Sequence, residues 1–149
     1  MKISLGSDHG GFPLKEQILN HLKGKGYEIT DVGTFTEESC DYPDYAIKVA
    51  EDVKNKKSGF GILVCGTGIG ISIAANKVSG IRAALCSDTF SAHACREHND
   101  ANILVLGQRT VGVGLALDIV DTFFGAKFEG GRHERRVEKI ARIEEQNCK

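Results

Sequence analysis

The sequence predicts an α/β protein, a parallel β-sheet covered by helices on both faces. Short apolar runs alternate with longer segments of helical period, five times over. Runs such as ILVC (62–65) and ILVL (103–106) are apolar throughout, as suits strands buried on both faces. The chain has 149 residues, enough for one domain with a real core, and no repeat, low-complexity tract or linker breaks it before residue 125. Residues 1–149 are therefore expected to form a single domain.

KISLG (2–6) reads as the first strand. Leu14, Ile18, Leu19 and Leu22 recur at helical spacing, and GKG (24–26) stops that helix. YEITDVG (27–33) is the second strand. FTEESCDYPDY (35–45) is a polar loop in which Pro43 favours the start of a helix over AIKVAEDVKN (46–55). FGILVCG (60–66) is the third strand, followed by a short helix, ISIAANKV (71–78). IRAALC (81–86) is the fourth strand. SDTFSAHACREH (87–98) is a helix capped by Ser87 or Asp88. NILVLGQ (102–108) is the fifth strand and VGLALDIVDTFF (113–124) an amphipathic helix. The remainder, 125–149, opens with a glycine pair and continues as a charged helix over about residues 131–146. Val137, Ile140, Ala141 and Glu144 mark one side of it. That stripe is narrow for a helix packed on its own domain, and it predicts a helix that reaches a partner subunit.

Composition excludes several classes. Hydrophobic residues make up 41% and charged residues 26%, with a net charge of -1, so nothing calls for nucleic acid or an anionic membrane as partner. No run is long enough to span a membrane, and the first residues lack the apolar core of a signal peptide, so a cytoplasmic location is expected. Five cysteines, an odd number without a CxxC pair, argue against a disulfide framework or a zinc knuckle. Histidines 9, 21, 93, 98 and 133 show no closely spaced ligand pair, so no metal is expected.

Ligands of open parallel sheets bind at the carboxyl ends of the strands. Ser7, Asp8, His9, Gly10 and Gly11 follow the first strand, Cys65 to Gly70 close the third, and Gly107, Gln108 and Arg109 follow the fifth. Gly66, Gly68 and Gly70 alternate with Thr67 and Ile69 at a helix start, where free N–H groups favour an anion. The spacing breaks the dinucleotide fingerprint, and no Gly-Lys-Ser/Thr follows, so nucleotide readings lose ground. Cys65 is either an inert end-of-strand thiol or a base aimed at a developing anion, and position alone leaves both open. Asp8 is a helix cap or a ligand group, and His9 is unsuited to a core. His98 and Asn99 lie at the end of a helix, opposite the strand tips; His98 either only complements the helix dipole or reaches the site through an irregular loop or from a partner subunit. Arg132 and Arg136 are one turn apart and can grip one phosphate, whereas His133 and Arg135 suit a solvated face.

Together, GSDHGG, CDYPDYA, VCGTGIGISIAANK, REHNDANILVLGQR and the tail arginines resemble the type B ribose-5-phosphate isomerases, a family that includes galactose-6-phosphate and allose-6-phosphate isomerases. The resemblance runs from Lys2 to the tail helix. It implies a Rossmann-like three-layer α/β/α sandwich with a five-stranded parallel sheet. It further implies a homodimer or dimer of dimers with shared sites, no cofactor and no metal. Cys65 would move the proton between C1 and C2 of the open-chain sugar. Some members carry a glutamate base further along, but here that stretch reads SIAAN. Gly66, Thr67, Gly68, Ile69 and Gly70 would hold the enediolate. His98 would be the acid in ring opening, with Asn99 on the substrate. Asp8 and His9 would contact hydroxyls or phosphate, and Arg109, Arg132 and Arg136 would complete the ligand shell. The alternatives are a six-carbon sugar phosphate as substrate, or a non-catalytic sugar-phosphate sensor with no use for Cys65.

Overall fold

The computed structural model describes residues 1–147. Its elements are β1 (Lys2–Ser7), a 3-10 turn (His9–Gly11), α1 (Phe12–Gly24), β2 (Glu28–Gly33), α2 (Tyr42–Lys54) and β3 (Phe60–Cys65). They continue with α3 (Ile69–Ala75), β4 (Ala83–Leu85), α4 (Thr89–Glu97), β5 (Ile103–Gly107), α5 (Val113–Gly125) and α6 (Arg132–Asn147). All five strands are parallel, in the order β2-β1-β3-β5-β4. The chain leaves β1 to one side for β2 and lies on the other side for β3, so the order reverses at the β1/β3 boundary. Such a reversal opens a crevice at the carboxyl ends of the strands.

The uniformly apolar runs have a simple cause. In β3, Ile62 and Val64 face α1, α4 and α5, while Leu63 and Cys65 face α2 and α3. In β5, Leu104 and Leu106 share the first face, Ile103 and Val105 the second. Every side chain along these strands therefore meets a helix, and each full burial of a Val, Leu or Ile favours folding by about 1.5–3 kcal/mol. The three-layer α/β/α sandwich follows from this two-sided burial.

Several boundaries differ from the expectation. Helix α2 begins at Tyr42, not at residue 46, because Pro43 sits in its first turn, where a missing N–H is harmless. Helix α3 begins at Ile69 and lasts seven residues, launched by Gly68 in a left-handed conformation (φ 77°). Strand β4 keeps only three residues. Asn76 brackets Ala83, accepting from its N–H at 2.8 Å and donating to its carbonyl at 2.9 Å, which closes part of this sheet edge. Asp88, not Ser87, caps α4 by accepting from Ser91 N–H at 2.6 Å.

Helix α6 has one buried residue, His133. The Val137, Ile140, Ala141 and Glu144 side, expected to meet a partner, faces Gly80, Ile81 and Arg82 of its own chain, and Gly80 N–H donates to Glu144 Oε2 at 3.0 Å. Ile140 and Ile143 remain 49% and 60% exposed. No helix among the described residues is long and apolar enough to cross a membrane. Cys148 lies outside the described residues.

Candidate active site

The loop after β1 and the loop after β3 meet at the strand-order reversal. Asp8 N–H donates to Val64 O at 3.3 Å, and Asp8 Oδ1 accepts from Gly11 N–H at 3.1 Å, so the carboxylate caps the 3-10 turn. A Cβ on Gly11 would lie 2.4 Å from Val64 O, so only glycine lets this turn lie flat on β3. The turn is thereby held against Gly66, whose N lies 3.3 Å from where a Cβ on Gly10 would be. His9 Nδ1 accepts from Cys40 N–H at 3.1 Å, which leaves Nε2 to carry the proton in the neutral ring.

Cys65 is 5% exposed and its sulfur accepts the Gly68 N–H at 3.1 Å. The thiol is thus held at the mouth of the glycine loop. Gly68 cannot be replaced freely, since its φ is positive and a Cβ there would meet Leu85 Cδ1 at 2.4 Å. Ile69 N–H is turned to Thr67 Oγ1 at 3.2 Å. Two of the loop donors expected to face a ligand are therefore already engaged, Gly68 by the thiol and Ile69 by the threonine. Helix α3 is short, so its dipole is a small contributor, and the loop amides matter more. Arg109 lies across Gly66, with Cδ, Nε and Cζ 3.6–3.7 Å from a Cβ placed there, and its N–H donates to Gly66 O at 2.8 Å.

Asp8, His9, Cys65, Gly66, Thr67, Gly68, Ile69, Gly70 and Arg109 therefore share the carboxyl edge of the sheet. His98, Asn99, Arg132 and Arg136 do not join them. Gly107 pairs with Cys65 and Ile103 with Gly61, while His98 and Asn99 precede Ile103. At strand rise, the length of β5 alone separates the two groups by about 13 Å.

The second group is organised around a contact that the sequence reading missed. His98, at the C-cap of α4, stacks on His133 with ring centroids 4.3 Å apart and planes 14° from parallel. His133 is buried, not solvated as expected. Its separation from His98 in sequence hid the pair, and the Glu129 N–H bond to Glu97 O at 3.0 Å is what brings the tail onto α4. Loss of solvent, then the positive charge of His98, Arg132 and Arg136, holds His133 below the ordinary histidine range, against the pull of Glu129. His98, Glu129 and His133 bring donor atoms within 4.8 Å of one another. The imidazole lone pairs lie in the ring planes, so in this near-parallel stack they run side by side and do not converge as a metal would need.

Two further residues were missed as individuals. Tyr42 lies beside the glycine loop, since a Cβ on Gly70 would fall 2.6 Å from its Cζ. Cys40 supplies the N–H that orients His9. Both belong to the CDYPDYA stretch, read as a polar loop.

A groove of about 660 Å³ lies elsewhere, between α6 and the β4 edge, bounded by Ile140, Ile143, Arg82 and Asn99. The Cys65 loop is open surface, with Thr67 and Ile69 exposed.

These observations define a class, an open parallel α/β sheet with a thiol and a glycine loop at its switch point. Within that class the chain belongs to the Ribose/Galactose Isomerase family, whose family model matches residues 3–140. It is 54% identical over 144 residues to ribose-5-phosphate isomerase B of Escherichia coli, covering 97% of each chain. A structure of ribose-5-phosphate isomerase B from Clostridium thermocellum superposes with a TM-score of 0.97 at 60% identity, over 98% of this chain and 99% of that one. The Mycoplasma genitalium ribose-5-phosphate isomerase B, solved with bound ribulose-5-phosphate, gives 0.93 at 45% identity, over 98% and 97%.

Proposed function

We propose that the chain is an aldose–ketose isomerase that interconverts ribose 5-phosphate and ribulose 5-phosphate in the cytoplasm. The observation that carries this reading is the Cys65 sulfur, held by Gly68 N–H at the mouth of the glycine loop, with Arg109 beside it. Its relatives at 54% and 60% identity bear the name of that activity.

The active form is a homodimer. Ile69 on the loop, Leu85 beside Gly68, Ile73 on α3 and Phe90 at the start of α4 are 41–70% exposed, apolar surface suited to a second copy. A partner seated there would bring its His98, Asn99, Arg132 and Arg136 to the wall this chain leaves open. Arg109 and the two tail arginines grip the phosphate, while Asp8 and His9 hold hydroxyls.

The chemistry then runs in three steps. His98 gives a proton to the ring oxygen O4 as the C1–O4 bond breaks, water takes the proton of the C1 hydroxyl, and the open-chain aldehyde forms. The Cys65 thiolate takes the C2 proton; the electron pair forms the C1–C2 double bond and places negative charge on O1, which the remaining loop amides and Thr67 stabilise. The thiol returns the proton to C1, and the proton of the C2 hydroxyl passes to O1, which leaves the ketone at C2. No metal or cofactor takes part.

The test is turnover in EDTA with ribose 5-phosphate, allose 6-phosphate and galactose 6-phosphate side by side. Ribose 5-phosphate should have the highest kcat/KM, and Cys65→Ala should lower kcat by about 10²–10⁴-fold while the sugar phosphate still binds. Full activity in that variant would refute Cys65 as the base, and a preference for a six-carbon sugar would change the substrate.

A further inference from the structure

Two cysteines outside this machinery lie together. Cys86 follows β4 and Cys95 sits in α4, and their sulfurs are 3.9 Å apart. Both belong to the core on the α1, α4 and α5 side of the sheet, whereas Cys65 belongs to the core on the opposite side. The backbone anchors each of them. Cys86 N–H donates to Val105 O at 3.1 Å, and Cys95 O accepts from Ala101 N–H at 3.0 Å. The thiols form a chain in which Cys86 S–H points to the Cys95 sulfur and Cys95 S–H to Ala92 O at 3.2 Å.

We infer that Cys86 and Cys95 are a modification site, a dithiol that peroxide or a small disulfide converts reversibly to an intramolecular disulfide. The sulfurs must close from 3.9 Å to a bond of about 2 Å, a movement that side-chain rotation and a small shift of α4 can supply. Access comes through the turn between them, since residues 87–90 are all exposed although the two thiols are not. Local opening of that turn uncovers Cys95 first, the less buried of the pair at 7% against 2%. The proton also favours this order. The hydrogen bond from Cys86 holds the Cys95 thiol below the usual range, against the effect of burial, while the same bond and burial push Cys86 well above it.

The step balances with peroxide as oxidant. The Cys95 thiolate attacks one peroxide oxygen, the O–O bond breaks, and hydroxide leaves and takes up a proton as water. Cys86 sulfur then attacks the Cys95 sulfenic acid, the S–O bond breaks, and the Cys86 proton leaves with the oxygen as a second water. With oxidised glutathione, Cys95 forms a mixed disulfide and Cys86 displaces the second glutathione as thiol.

The native full-length chain should be treated with hydrogen peroxide or oxidised glutathione, alkylated, and digested with trypsin without reductant. Cleavage after Arg82 and Arg96 places both cysteines in one peptide, 83–96, apart from Cys65 in 58–77. The expected product is that peptide without alkyl groups and lighter by two hydrogens, returning to the doubly alkylated form after dithiothreitol. Cys86→Ser should leave Cys95 as a sulfenic acid that dimedone traps, or as a glutathione adduct, with no internal bond. A peptide 83–96 that stays doubly alkylated after Cys65 has reacted overturns the inference. So does one carrying separate adducts on each sulfur. Both readouts are masses, so they are independent of the isomerase assignment.

Discussion

The carboxyl edge of the sheet and the end where the tail meets α4 carry the two halves of the proposed site, and they are built differently. The first is anchored directly on the sheet. Asp8, Gly11, Cys65, Gly68 and Arg109 are fixed by hydrogen bonds within and between three adjoining loops at the ends of β1, β3 and β5. The second rests on the tail's contacts with α4, the His98–His133 stack and the Glu129 N–H bond to Glu97 O, with arginines that remain exposed around them. A loop at a strand end inherits its position from the sheet. A tail helix takes its position only from what it packs on. The first half is therefore rigid in an isolated chain, and the second depends on docking.

Complementation between two inactive variants tests whether the two ends meet across a dimer. Cys65→Ala and His98→Ala should each be nearly inactive alone. Mixed after dissociation, they should recover up to about a quarter of wild-type activity, since half the dimers are mixed and each has one intact site. No recovery would place His98 and Cys65 of one chain in the same site, against the separation along β5. Next in size, Arg136→Ala should raise KM about tenfold with kcat little changed, the loss of one charge-assisted phosphate contact. An unchanged KM would remove the tail from the ligand shell.

The rigid half is tested by Gly68→Ala, which forces a side chain onto a positive φ and into Leu85. It should cost about 1–3 kcal/mol, read as a lower urea midpoint. The docked half is tested by pH. The folded pKa of His133 lies below its unfolded value, so the unfolded chain binds the extra proton and stability falls as pH drops through about 6.5. The wild-type urea midpoint should fall more between pH 7.5 and 5.5 than that of His133→Gln. Equal shifts would show that His133 is not the group concerned.

The strand runs were legible because two-sided burial demands uniformly apolar residues, and ILVC and ILVL satisfy it. The ends of elements were less so. Pro43 marked the first turn of α2 without fixing Tyr42 as its first residue, and the contact of Tyr42 with Gly70 had no local mark. The glycine spacing predicts free loop amides, whereas the Gly68 N–H is held by the Cys65 sulfur, and Leu85 and Tyr42 fill the space a Cβ would take at Gly68 and Gly70. His133 reads as a charged-helix residue because nothing near it in sequence announces a ring 35 positions earlier. Cys86 and Cys95 are only nine positions apart, but without a CxxC spacing nothing in the sequence marks the turn that brings their sulfurs together.

By itself the sequence determined the layer architecture, the parallel sheet and the edge on which Asp8, Cys65 and Arg109 gather. Periodicity and strand-end chemistry are local and act wherever the chain goes. Strand order, the seating of α6 and the pairing of His98 with His133 were set only in the packed molecule. Those depend on which distant surfaces come into contact, and contact energy between segments far apart along the chain leaves no periodic mark in either one.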